Sequence, residues 1–264
     1  MNAGRQALAA EGFTPPGPEL FNLPPIFGGS LLFAKPALLL VVGAVLVFGF
    51  FYATSRKMAM VPSKAQYAGE QAYSFVRNGI ARDVIGSRDF MKFVPLLLAM
   101  FSFILINNLF GVVPFIQFPS FSRASFAYGL AALVWILYNG VGIWKHGLFG
   151  YLKHQTIPAG VNGPILILIV PLEFASNILV RPVTLSLRLF ANMFAGHILL
   201  VLFTLGGEYL LLEAGNVAYA PVGVLALLLA VAISFLEILV QVLQAYVFTL
   251  LTAMYVQGAL AEEH

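Results

Sequence analysis

The chain has 264 residues, 60% of them hydrophobic and only 9% charged, with a mean hydropathy of +0.92. Soluble domains carry about 25% charged residues, so this balance excludes an ordinary water-soluble domain and indicates a polytopic membrane protein. The formal charge of +3 resides in basic residues that flank apolar runs, which reports orientation rather than nucleic-acid binding, and the lack of cysteine excludes disulfides, thiolate metal sites and iron–sulfur clusters.

Residues 1–35 are rich in Gly and Pro and lack the order of a cleavable signal peptide, so they read as an extracytoplasmic arm before a single membrane domain, 36–264. The first apolar run, 36–54, approaches the ~20 residues that cross a ~30 Å hydrocarbon core. Residues 62–86 interleave Lys64, Arg77 and Arg82 with Tyr67, Tyr73, Phe75 and Ile80, the pattern of an amphipathic helix on the cytoplasmic membrane surface. Spans two and three are expected at 90–113 and 123–145, joined by a short loop with Pro114, Pro119 and one basic residue, Arg123. A loop with Lys145, His146, Lys153 and His154 follows, and then two long apolar tracts, 164–205 and 221–261, parted by a loop carrying Glu208 and Glu213.

Each long tract has about 40 residues, which at 1.5 Å per residue makes roughly 60 Å of helix, twice the hydrocarbon thickness. Either each folds back as a hairpin or it crosses strongly tilted. The absence of Gly and Pro from Val224 to Gln257 favours an unbroken helix in the second, and Pro171 and Pro182 are expected bends in the first. The expected fold is therefore all-α, with five membrane helices and one amphipathic surface helix. The positive-inside rule then puts the amino terminus outside and the carboxyl terminus in the cytoplasm, although two hairpins would satisfy the same charges.

Arg188, in RPVTLSLRLFANMFAGH, is an ionised group with apolar neighbours deep in a membrane tract. Such a charge costs from about 2.5–3.5 to 10–17 kcal/mol and faces a cavity or a partner; snorkelling to a headgroup or pairing with an internal acid is the plainer alternative. Thr184 and Asn192 lie one turn before and after it and form a polar stripe. Glu237, Gln241 and Gln244 make a second stripe on the last tract, and the two stripes are expected to face each other.

Arginine is not deprotonated in proteins, so Arg188 can act only as fixed charge, favouring the ionised form of an approaching carboxylate. His197, Glu237 and Glu173 can gain and lose protons. A lone membrane histidine is as often just hydrogen-bonded across helices, and Asn107 and Asn108 suit helix packing as well as a channel. No third or fourth ligand accompanies His197 and Glu237, which argues against a metal. The sequence has no GxxxxGK, GxSxG or HExxH, so no bond chemistry, nucleotide site or cofactor is expected in this chain.

The segments RPVTLSLRLFANMFAGHILL, LQAYVFTLLTAMY and INNLFGVVP resemble the recurrent segments of subunit a of F-type ATP synthases, and the resemblance runs from Pro36 to Gly258. The opening GFTPPGPELF is similar to bacterial, actinobacterial members. The resemblance implies a multi-pass subunit of the bacterial plasma membrane whose last two helices lie tilted against a rotor ring of c subunits. It further implies peripheral-stalk b subunits and the other synthase subunits as partners. By it, Arg188 is the stator arginine facing the ring, Gln244 the glutamine across from it and Asn192 a polar neighbour. His197 and Glu237 form the inlet half-channel pair, in an order reversed from some members, and Glu173 belongs to the exit half-channel. The stretch from Glu173 to Pro182 is one residue longer than is common in that family. The implied mechanism passes protons through two offset half-channels, each charge worth about 2.3 kcal/mol per 100 mV. Two readings compete with it. An ion-coupled secondary transporter would be expected to show internal repeats and broken helices, and a structural scaffold would tolerate loss of Arg188.

Overall fold

Inside hydrocarbon every backbone N–H and C=O has to be satisfied within the protein, so uninterrupted apolar tracts fold as long helices. The computed structural model describes residues 13–21, 35–56, 59–87, 89–113, 116–157, 165–214 and 217–261. Among the described residues all regular structure is helical: α1 (Lys35–Ser55), α2 (Lys64–Val76), α3 (Phe90–Leu109), α4 (Ala124–Thr156), α5 (Leu166–Leu212) and α6 (Ala220–Leu260), with short 3-10 and π turns between or within them. Five of these, all but α2, are long and apolar enough to cross a membrane, so the chain is a polytopic membrane protein. Most of the amino-terminal arm, together with Pro114, Pro164 and His264, lies outside the described residues.

Helix α1 is the least embedded. Val41 and Phe48 are 62% and 74% exposed, as befits a lipid-facing surface, and α1 touches the bundle at Gly43, where a Cβ would collide with the Asn107 amide of α3. Helix α2 begins at an N-cap, the Gln66 N–H donating to Ser63 Oγ at 3.2 Å. It continues through a π turn, Arg77–Arg82. Its apolar side is buried at Val76 and Ile80, and Phe75 rests on Phe101 of α3 and Tyr246 of α6 at 5.5 and 5.8 Å between ring centres. Tyr67, grouped with the apolar residues in the sequence pattern, instead lies exposed on the opposite side.

Helix α4 corrects one expectation. It breaks at Gly147, whose φ of 72° favours glycine, and then folds back along itself rather than opening into a loop. The Tyr151 ring covers Gly142, where a Cβ would overlap it, and its hydroxyl donates to Asn139 Oδ1 at 3.0 Å. His146 and His154, expected in a loop, stand on either side of this reversal with their rings stacked 5.4 Å apart.

Neither long tract folds back. Helix α6 is one element of 41 residues and α5 runs for 47, so both exceed the hydrocarbon thickness several turns over, and each counts as one of five helices long and apolar enough to cross. Helix α5 continues to Leu212, which places Glu208 on the helix rather than in the expected loop. Gly206 and Gly207 do not end the helix: Gly207 lies against α6, where a Cβ would come within 3.1 Å of the Gly223 carbonyl. The irregularity expected at the two prolines falls between them, as a π turn over Ala175–Val180.

Helices α5 and α6 pack antiparallel. Gly207 meets Gly223 near one end, Asn192 meets Gln244 in the middle, and the Arg181 guanidinium lies 5.3 Å from the Tyr255 ring centre near the other. Leu185, Leu189 and Met193 of α5 join Phe248 and Val256 of α6, Leu97 and Ile104 of α3 and Val134 of α4 in one buried core. Lys35 Nζ donates to the Ile116 carbonyl at 2.8 Å, and Lys145 Nζ to the Leu260 carbonyl at 2.7 Å, so each contact ties helix ends together at one side of the bundle.

Candidate functional site

Arg188 lies on the outer face of α5, exposed, between exposed Leu187 and fully buried Leu189. Its guanidinium makes no hydrogen bond or ion pair with another described residue. Thr184 is exposed on the same face, and its hydroxyl donates back to the carbonyls of Val180 and Arg181 at 2.9 and 3.0 Å. Of the expected stripe only Asn192 reaches α6, donating through Nδ2 to Gln244 Oε1 at 2.8 Å. The two stripes therefore meet at this pair, while Arg188 and Thr184 turn away from the bundle.

About 13 Å along the axis from Arg188, His197 is buried on the inner face of α5. Glu237 of α6 packs against Gly196, the residue before it. An added Cβ on Gly196 would sit 3.5 Å from Glu237 Oε1, in ordinary contact, so the carboxyl lies close against the α5 backbone. Gln241 donates through Nε2 to Glu237 Oε1 at 3.2 Å, and Asn108 of α3 donates through Nδ2 to the Gln241 carbonyl at 3.3 Å. Gly111 gives Gln241 space, at 3.2 Å from its amide nitrogen. His197 Nδ1, Glu237 Oε2, Gln241 Oε1, Gln244 Nε2 and Asn108 Oδ1 are buried and have no hydrogen-bond partner among the described residues. Phe21, from the 3-10 turn Pro18–Phe21, closes the outer end, its ring 5.7 Å from the His197 ring and 6.0 Å from Phe118.

A second polar cluster lies about 22 Å from Arg188 in the other direction along α5. The Asn177 amide donates to Glu173 Oε2 at 3.0 Å and to the Gln155 carbonyl at 2.7 Å. Gln155, in the folded-back part of α4, donates to the Tyr151 hydroxyl at 3.2 Å. This cluster adjoins the end of the bundle that carries Lys145 and Lys153, whereas the His197 cluster adjoins the end that carries Lys35.

The residues singled out in the sequence thus divide three ways. His197, Glu237 and Gln241 come together, Asn192 and Gln244 join across the helix seam, and Glu173 stands apart beyond Arg188. Asn108 belongs with the first group, and Asn107 instead donates to the Phe103 carbonyl of its own helix beneath Gly43 of α1. Asn177, Gln155 and Tyr138 were not singled out; the one signal available was that Asn177 follows Glu173 by a helical turn. No cluster of three or more His, Cys, Asp or Glu able to hold a metal occurs among the described residues.

The arrangement can bring a proton-accepting pair within reach of one end of the bundle and a carboxylate within reach of the other, with a permanent cation between them on the outer surface. Residues 37–257 match the family described as ATP synthase A chain. A protein described as ATP synthase subunit a from a Nocardioides species is 60% identical over 265 residues, covering 96% of this chain and 95% of the relative. Proteins of the same description from Pseudarthrobacter chlorophenolicus and Streptomyces lividans are 49% and 42% identical, each covering 96% of this chain, and 95% and 90% of their own lengths.

Proposed function

The chain belongs to the ATP synthase A chain family, and on that premise we propose that it is the stationary proton-conducting subunit of a rotary F-type ATP synthase. The observation that carries the proposal is the placement of Arg188: a fixed cation on the outward face of α5, with one buried polar cluster towards each end of the bundle.

Protons enter from the side of Phe21 and Lys35 through His197 and Glu237, with Asn108 and Gln241 lining the way. Each of these two groups can take and release a proton, and the buried polar atoms that lack protein partners are ones that water can serve. The exposed face carrying Arg188 lies against a ring of c subunits whose carboxylates pass it in turn. Approaching Arg188, a protonated ring carboxyl is driven to its ionised form, because an adjacent positive charge favours the anion. The proton leaves by Glu173 towards the other side. Arg188 cannot carry the proton, and its charge repels hydronium, so it blocks a direct leak between the two clusters. The Asn192–Gln244 pair holds α5 and α6 together one turn from Arg188.

The side rich in basic residues, with Arg56, Lys145 and Lys153, is then cytoplasmic and the amino terminus outside. Peripheral-stalk b subunits and the other synthase subunits complete the assembly. The test is ATP-driven proton pumping by the assembled enzyme in inverted membrane vesicles. Arg188→Gln is expected to abolish pumping while ATP hydrolysis by the detached catalytic head is unchanged; sustained pumping would overturn the assignment.

A further inference from the structure

Two backbone carbonyls in α5 lack the N–H that regular helical bonding would give them, for two different reasons. In the π turn the Arg181 N–H reaches back five residues to the Ser176 carbonyl, which leaves the Asn177 carbonyl without it. Pro182 has no N–H, which leaves the Ile178 carbonyl four residues before it. Helix α4 supplies both. The Tyr138 hydroxyl donates to the Asn177 carbonyl at 3.0 Å, and Trp135 Nε1 donates to the Ile178 carbonyl at 2.8 Å. Trp135 and Tyr138 lie one turn apart on one face of α4, and Tyr138 is 1% exposed.

A wide turn adds a residue without adding a turn. With it, the roughly fifteen residues from Glu173 to Arg188 count as about fourteen, which at about 100° each leaves the two within about 40° in angle. Closing the turn to regular α bonding in the same chain would rotate the two halves of α5 against each other by about 100°. The Asn177 amide also holds Glu173, so the turn is joined directly to that carboxylate.

We propose that Trp135 and Tyr138 are positioning residues for Arg188. By taking the two released carbonyls they hold the wide turn in place, and so fix the rotational phase between the half of α5 that carries Glu173 and the half that presents Arg188. The inference rests on the stator reading of Arg188 for its functional consequence, but the geometry can be read separately.

The pairing of each side chain with one cause makes the test specific. Deleting Ser176 removes the extra residue, so the Arg181 N–H can again reach Asn177, while Pro182 still leaves Ile178 open. Pro182→Ala does the reverse. In the assembled enzyme, Tyr138→Phe and Trp135→Phe are each expected to lower ATP-driven pumping several-fold. With Ser176 deleted, Tyr138→Phe should have no further effect and Trp135→Phe should keep its effect. With Pro182→Ala, Trp135→Phe should fall silent and Tyr138→Phe should not. Equal effects in every background, or no effect in any, would overturn the proposal.

Because the chain has no cysteine, spin labels can be placed at Leu172→Cys and Leu187→Cys, two exposed positions on either side of the turn. Tyr138→Phe should shift the distance between them, and an unchanged distance refutes the positioning role whatever Arg188 does. If Arg188→Gln pumps while the distance shifts as expected, the stator reading fails and the phase lock stands.

Discussion

On the His197 side of Arg188 the buried polar groups exceed their protein partners, with unpaired atoms on His197, Glu237, Gln241, Gln244 and Asn108. On the Glu173 side, Asn177, Gln155, Tyr151 and Tyr138 are tied into hydrogen bonds, two of them to backbone carbonyls, and the unpartnered buried atoms beside them are His146 Nε2 and His154 Nδ1 at the α4 reversal. An unpaired buried polar group costs about 1–3 kcal/mol, so a concentration of them persists where water can reach, and Gly111 gives the Gln241 amide room. The opposite cluster spends its polar groups on fixing backbone. One side leaves buried polar atoms without partners, while the other ties Asn177 to a single carboxylate and a backbone carbonyl.

The comparison is tested most severely at Glu237. Glu237→Gln keeps the shape and the hydrogen bond from Gln241 but removes a titrating group, and pumping in inverted vesicles should fall at least about tenfold; normal pumping would remove Glu237 from the proton path. A smaller effect is expected where the second cluster is merely loosened. Gly142→Ala puts a methyl into the Tyr151 ring and should displace the folded-back part of α4 at a cost of about 1–3 kcal/mol, seen as a lower unfolding temperature of the purified complex. The smallest change belongs to Thr184→Ala, which removes hydroxyl bonds made within its own helix and should stay within about 0.5 kcal/mol in stability, with pumping close to that of the parent enzyme.

The spans and Arg188 were legible because a charge or a run of apolar residues announces itself locally. Unbroken α6 followed from the absence of turn residues after Val224. The reversal at Gly147 was hidden: one glycine among Lys145, His146 and Leu148 resembles the start of a loop, and it takes contacts such as Tyr151 on Gly142 and Asn139 to reveal the folded-back helix. Glu208 falls on α5 rather than in the expected loop, because the helix runs on past Gly207, which serves close packing against α6. The division of the Thr184, Arg188 and Asn192 stripe depends on how α5 is rotated against α6, which periodicity within one helix cannot supply. Nothing in the sequence around Trp135 and Tyr138 marks them out, because their partners are two carbonyls some forty residues away.

The central claim is that Arg188 separates two regions reached from opposite faces of the membrane. With no native cysteine to interfere, Glu237→Cys and Glu173→Cys can each be labelled by a membrane-impermeant thiol reagent in right-side-out and inverted vesicles. The Glu237→Cys thiol should react from outside and the Glu173→Cys thiol from the cytoplasmic side. Reaction of both thiols from the same face would contradict the account.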